Sequence, residues 1–175
     1  MATWLKPWET VRFTIVREPI ERFVSVYKFV CKFRSDCPAK VKTIHDFARW
    51  LYKIQKAELK KGKAASRSTQ FITWHSWPQT RYCNIENNRT TLVHHSSNRQ
   101  KMRQEMMTVF RRARIPQRVG NKALRHLLRS STAHASENRT EKRNLKKEVM
   151  ENNRTMEYIK AIYHQDFHFF EKHKF

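Results

Sequence analysis

Two residues in the segment FTIVREPIERFVSVY, residues 13–27, are of the right types to hold an anion: Arg17 and, eight positions later, Ser25. A guanidinium offers a fork of donors and a hydroxyl adds one more, a combination that suits a phosphate. The surrounding pattern predicts what positions them. Val11, Phe13 and Ile15 alternate with Arg12 and Thr14 at strand spacing, and Val16 extends the apolar run, which predicts a buried strand. Pro19 stops that strand and suits the first turn of a helix. Ile20, Phe23, Val24, Tyr27, Val30 and Cys31 then recur at helical spacing, with Arg22, Ser25 and Lys28 on the other side. Arg17 therefore falls where a strand gives way to a helix, and ligands bind in crevices at the carboxyl ends of α/β strands. The other reading of these residues is an ordinary strand–helix junction whose arginine pairs with a nearby carboxylate.

Arg17, Glu18, Pro19 and Ser25 resemble the 3′-phosphate-binding motif of sulfotransferases, in which an arginine at a strand end precedes an acid, a proline and a serine. The family usually has Asp where this chain has Glu18. HSWPQTRYC, residues 75–83, is similar to the His-aromatic-Pro-Gln-then-Cys segment of Golgi carbohydrate sulfotransferases, especially divergent nematode members. YIKAIYHQDFHFF, residues 158–170, resembles the closing helix of that family, where a Tyr and an Asp-Phe pair recur. STAHASENR, residues 131–139, is similar to a Thr- and His-bearing loop before that helix. The four segments come in family order and span most of the chain.

The resemblance implies an α/β fold of the P-loop-like sulfotransferase kind, partial in this chain, helix-rich with a few parallel strands. It implies a single truncated domain over residues 1–175. It also implies that Arg17 and Ser25 hold the 3′-phosphate of 3′-phosphoadenosine-5′-phosphosulfate, the sulfate donor, and that the acceptor is a glycan hydroxyl. A base near the acceptor oxygen accelerates such a transfer by about 10²–10⁴-fold. His75 leads its matched segment, and an imidazole exchanges protons near neutral pH, so it is the candidate catalytic base. The plainer role for His75 is a hydrogen bond that fixes the HSWPQ turn. His134 is a weaker candidate.

Sulfotransferases also carry an earlier strand–loop–helix that cradles the 5′-phosphosulfate. Residues 1–10 contain no such unit, and neither Gly62 nor Gly120 opens a helix after a strand. The expectation is the carboxyl-terminal part of a sulfotransferase, which by itself transfers little or no sulfate. Family members are usually Golgi membrane proteins, which implies a Golgi address and a membrane link only through an amino-terminal anchor missing from these residues.

Charge is the dominant feature of composition. The 175 residues carry 37 Lys plus Arg against 15 Asp plus Glu, a formal +22. Such a field attracts polyanions: an acidic glycan or proteoglycan, the nucleotide donor, or nucleic acid. No zinc finger or RNA-binding sheet signature is present, so specific nucleic-acid binding is not expected. The rival reading is a non-catalytic basic module binding acidic glycans or nucleic acid. No apolar stretch is long enough to span a bilayer. His94 and His95 have no cysteines near them and no C-x-x-C pair occurs, so no metal is expected. Cys31, Cys37 and Cys83 are compatible with one lumenal disulfide or with three thiols. Asn88, Asn138 and Asn153 each begin a glycosylation sequon.

Further along, Thr43 and Asp46 predict a capping box for a helix to about Lys60. Residues 60–70 predict a basic loop, Phe71 to Trp74 a short extended segment, and Thr90 to Val93 a buried strand. Ser97 is the expected cap of a helix to about Ala113, with Met102, Met106, Val109 and Phe110 inward. A shorter helix follows through Val119, Ala123, Leu124, Leu127 and Leu128. Residues 130–143 predict a loop, and Leu145 to Tyr163 one long final helix.

Overall fold

Parallel pairing of two distant strands organises the first of the chain's two units. The computed structural model describes residues 10–61, 67–82, 85, 90–129 and 139–173. One unit comprises Met1–Arg17 with Cys83–Ala133, and the other Glu18–Tyr82 with His134–Phe175.

In the first unit β1 (Arg12–Val16) runs parallel to β2 (Thr90–His94), with Arg12 opposite Thr90 and Val16 opposite His94. The His95 N–H donates to the Val16 carbonyl at 2.7 Å and carries the pairing one residue further. Val16 and Val93 are buried, but Phe13 and Ile15 stay 45% and 46% exposed. The expected buried strand is thus covered only at its carboxyl end: side chains alternate along a strand, and in this two-stranded sheet one face is left open.

Helix α4 (Arg99–Arg112) packs on β2. Its cap is Asn98, whose side-chain oxygen accepts from the Gln100 and Lys101 N–H groups, one residue beyond the expected Ser97. Ser96 in turn supports the Asn98 N–H. Val109 is buried, while Met102, Met106 and Phe110 are half-buried. Arg114, at φ 54°, turns the chain out of the helix, and Pro116 opens α5 (Gln117–Ala123). Gly120 lets α5 approach α4 closely, since a Cβ there would meet Phe110 at 2.9 Å. The short helix expected here is broken at Leu124, where α6 (Arg125–Arg129) begins anew. Leu124 is buried, but Val119 and Leu128 are exposed.

The second unit holds the main core. Glu18 caps α1 (Pro19–Tyr27): its carboxylate accepts from the Ile20 and Glu21 N–H groups, with Pro19 in the first turn. The chain continues as a wider π-helical turn, Lys28–Phe33, in which the Arg34 N–H reaches back to the Phe29 carbonyl. A disulfide joins Cys31 to Cys37. Cys83 lies outside the described residues. Helix α2 (Ile44–Lys61) begins at the expected capping box: the Asp46 N–H donates to the Thr43 hydroxyl, and the Thr43 N–H and hydroxyl donate back to the Asp46 carboxylate.

Phe23 and Tyr27 of α1 meet Phe47 of α2 at 5.5 and 5.4 Å between ring centres. Ile20, Val24, Val30, Ile44, Ala48 and Leu51 fill the space around them. Burying each of the Val, Leu, Ile and Phe side chains contributes about 1.5–3 kcal/mol. Residues Phe71 to Trp74 are helical, not extended, and belong to α3 (Arg67–Ser76). Ile72 and Ser76, four apart on one face, are both buried, and this contact with the core decides the helix. The expected basic loop at residues 60–70 is helical up to Lys61 and from Arg67; Gly62 and residues 63–66 lie outside the described residues.

The final long helix is three: α7 (Arg139–Glu151), α8 (Asn153–Ile162) and α9 (His164–His173). Asn152 interrupts the first pair and caps α8 through the Thr155 N–H at 2.9 Å. Helix thus replaces loop at residues 139–143. Residues 130–138, with His134 and Asn138, lie outside the described residues, as does Asn88. The chain as a whole is a helix-rich α/β protein with a small parallel sheet.

Candidate functional site

Arg17 stands at the carboxyl end of β1, in the first unit. Its Nη2 lies 2.6 Å from Nε2 of His95, the residue that follows β2. A guanidinium can only donate, so Nε2 accepts and the imidazole proton sits on Nδ1. The parallel register brings these two side chains together across 78 positions of sequence. They occupy the strand ends where α/β sheets place ligands. In the sequence His95 suggests only a metal ligand, and one without cysteines near it; its pairing with Arg17 is not legible there. Its one signal was that Thr90 to Val93 reads as a strand, which puts His95 just past a strand end like Arg17.

Ser25 and His75 belong to the second unit. Ser25 sits half-buried on α1, and its hydroxyl has no hydrogen-bond partner among the described residues. One turn earlier on the same helix, Arg22 reaches the loop after α3. Its Nη2 donates to the carbonyls of His75 at 3.2 Å and of Trp77 at 2.9 Å. Residues three apart share a helix face, so α1 presents Ser25 beside the arginine that anchors the His75 backbone. Arg22 was placed on the Ser25 side by its spacing; that it grips the His75 segment was not legible.

His75 lies in the last turn of α3 and is exposed. Its Nδ1 lies 2.8 Å from the Phe71 carbonyl, which can only accept. Nδ1 therefore carries the proton, and in the neutral ring Nε2 is left with the lone pair. The imidazole rests against Phe71, 4.0 Å between centres, and Phe29, 5.6 Å. These contacts fix the ring plane and tautomer, which is what a base aimed by its surroundings requires. They equally meet the plainer role, since the bond is to backbone.

The turn after His75 is held by a buried carboxylate. Asp166, fully buried on α9, accepts from the Gln79 N–H at 2.8 Å, the Thr80 N–H at 3.0 Å and the Thr80 hydroxyl at 3.0 Å. Gln55 of α2 donates to the Ser76 carbonyl and hydroxyl at 3.2 and 3.1 Å. The two segments that carry HSWPQT and the Asp-Phe pair are thus bonded to each other. Around them, burial raises the Tyr82 phenol above its ordinary range against the pull of Arg22. Burial raises the fully enclosed Tyr163 phenol further. Among the described residues no group of three or more His, Cys, Asp or Glu side chains is arranged to hold a metal ion.

The model of the sulfotransferase family matches residues 2–173 of this chain. No curated protein and no solved structure matches it significantly.

Proposed function

The chain belongs to the sulfotransferase family, and we propose that it serves the transfer of sulfate from 3′-phosphoadenosine-5′-phosphosulfate to a hydroxyl of an acidic glycan. In this reading Arg17 and Ser25 hold the donor's 3′-phosphate and His75 is the base. The acceptor oxygen attacks sulfur, the bond from sulfur to the 5′-phosphate oxygen breaks, and the acceptor proton passes to Nε2 of His75. The nucleotide leaves as 3′-phosphoadenosine 5′-phosphate. Positioning and charge stabilisation supply most of the rate.

The observation that carries this reading is the family match across both the Arg17–Ser25 and His75 segments. Support for the donor comes from the spacing of Arg17, Glu18, Pro19 and Ser25, with Glu18 serving as the acid that caps α1. Support for the base comes from the Nδ1 bond to Phe71, which leaves Nε2 to accept. One sulfotransferase domain over residues 1–175 and a Golgi address complete the proposal. Among the described residues no helix is long and apolar enough to cross a membrane.

The formal +22 favours a second reading, a non-catalytic basic module for acidic glycans or nucleic acid. The test is transfer of labelled sulfate to chondroitin by this chain and by an amino-terminally extended form. Transfer in the extended form that is lost on His75→Ala supports the proposal. Absence of transfer in both, with tight sequence-specific binding of DNA or RNA at physiological salt, establishes the second reading instead.

A further inference from the structure

We propose that a cleft in the second unit, walled by α2, the turn at Pro78–Arg81 and the α8–α9 junction, binds the acidic acceptor chain through Lys56 and Arg81. The choice of a glycan rests on the transfer reading above; the cleft and its charge do not. The cleft encloses about 720 Å³, and its lining among the described residues includes Lys56, Arg81 and His164 and no acidic side chain. Neither Lys56 nor Arg81 has a carboxylate partner among the described residues. What marks Lys56 and Arg81 is that they share one concavity with no counter-charge among the described residues of its lining, an arrangement that suits an anion from outside.

Both cations are held in place. The Arg81 guanidinium lies 3.9 Å above the Trp77 ring, which leaves its edge N–H groups to bond in the plane. The Lys56 ammonium is 5.5 Å above the Tyr52 ring and 3.5 Å from its hydroxyl. Gln55, Gln165 and Tyr52 add amide and phenol groups to the lining, which both donate and accept and so match sugar hydroxyls. The walls are mostly helical, so most of their backbone N–H and C=O groups are used internally. An extended peptide would find little main-chain edge to pair with, whereas a sugar chain needs none. The cleft also adjoins the His75 segment, because Gln55 in its wall bonds Ser76, the next residue.

The experiment is fluorescence anisotropy with a labelled, unsulfated chondroitin oligosaccharide, whose charge is all uronate. Three proteins are compared: wild type, the double variant Lys56→Glu with Arg81→Glu, and the control Lys101→Glu with Lys122→Glu. The control makes the same net change at exposed positions of the first unit. All four positions are exposed, and circular dichroism verifies folding. The cleft variant should bind at least about tenfold more weakly, with the control within about twofold of wild type. Affinity for 3′-phosphoadenosine 5′-phosphate, measured on the same proteins, reports the donor reading separately. Equal loss in both variants means bulk charge alone attracts the glycan and overturns the cleft. So does unchanged binding in the cleft variant, or no binding by wild type, whatever the nucleotide does. A polyglutamate peptide that binds wild type as tightly as the oligosaccharide, and loses affinity in the cleft variant, overturns the glycan in favour of an acidic protein partner.

Discussion

Asp166 shows how much a single side chain can arrange. Its carboxylate accepts from two backbone N–H groups and a hydroxyl 86 or 87 positions earlier, and it is completely buried. Removing it leaves the buried Gln79 N–H and the half-buried Thr80 N–H without their acceptor. Asp166→Ala should lower stability by roughly 1.5–3 kcal/mol or more, the range for hydrogen bonds to a charged group, measured by urea unfolding. A loss below about 0.5 kcal/mol, the size of an ordinary surface change, would contradict this account of the turn. Arg17 and Ser25 are legible from their spacing across a strand–helix junction, and His75 from the segment that resembles sulfotransferases. Neither signal shows what these residues touch. The partners of Arg17 and Arg22 lie 78 and 53 to 55 positions away, and no local pattern encodes a contact that depends on the whole fold.

Local signals were most legible where an element is closed by its own neighbours. The Thr43–Asp46 capping box is reciprocal and was readable from two residues. It has a pH consequence. The bond from the Thr43 hydroxyl, the Thr43 and Lys42 N–H groups and the nearby Arg49 hold the Asp46 carboxyl below its ordinary 3.8. A lowered folded value means the contribution is fully present above about pH 3.8 and is lost as pH falls through the folded value. The thermal midpoint of wild type should therefore exceed that of Asp46→Asn at neutral pH, with the gap closing as pH falls below 3.8. A gap that stays constant across that range would show that the ionised carboxylate is not what caps α2. The helices at the end of the chain were less legible. Leu145, Val149, Ile159 and Tyr163 keep helical phase across the break, so periodicity joined α7 to α8 although Asn152 supplies the cap that separates them. At α3 the adjacent Phe71 and Ile72 read as extended, and burial of Ile72 with Ser76 decided for helix. Phe13 and Ile15 alternate as a buried strand would, but a sheet with one neighbour does not cover both faces.

For the whole molecule, the segments that resemble sulfotransferases are spread over both units, and the family match runs through all of them. Net charge could not choose among polyanions. The arrangement of charge says more: one arginine at a parallel strand end, and two cations with no carboxylate partner among the described residues in a cleft whose wall bonds Ser76. In the proposed function Arg17 recognises a 3′-phosphate. The most direct measurement is calorimetry of 3′-phosphoadenosine 5′-phosphate and of adenosine 5′-phosphate, which lacks the 3′ group, with wild type and Arg17→Ala. The substitution should weaken the first ligand by about 1.5–3 kcal/mol, about 10- to 150-fold in affinity, and leave the second unchanged. Equal affinity of wild type and Arg17→Ala for 3′-phosphoadenosine 5′-phosphate would contradict it.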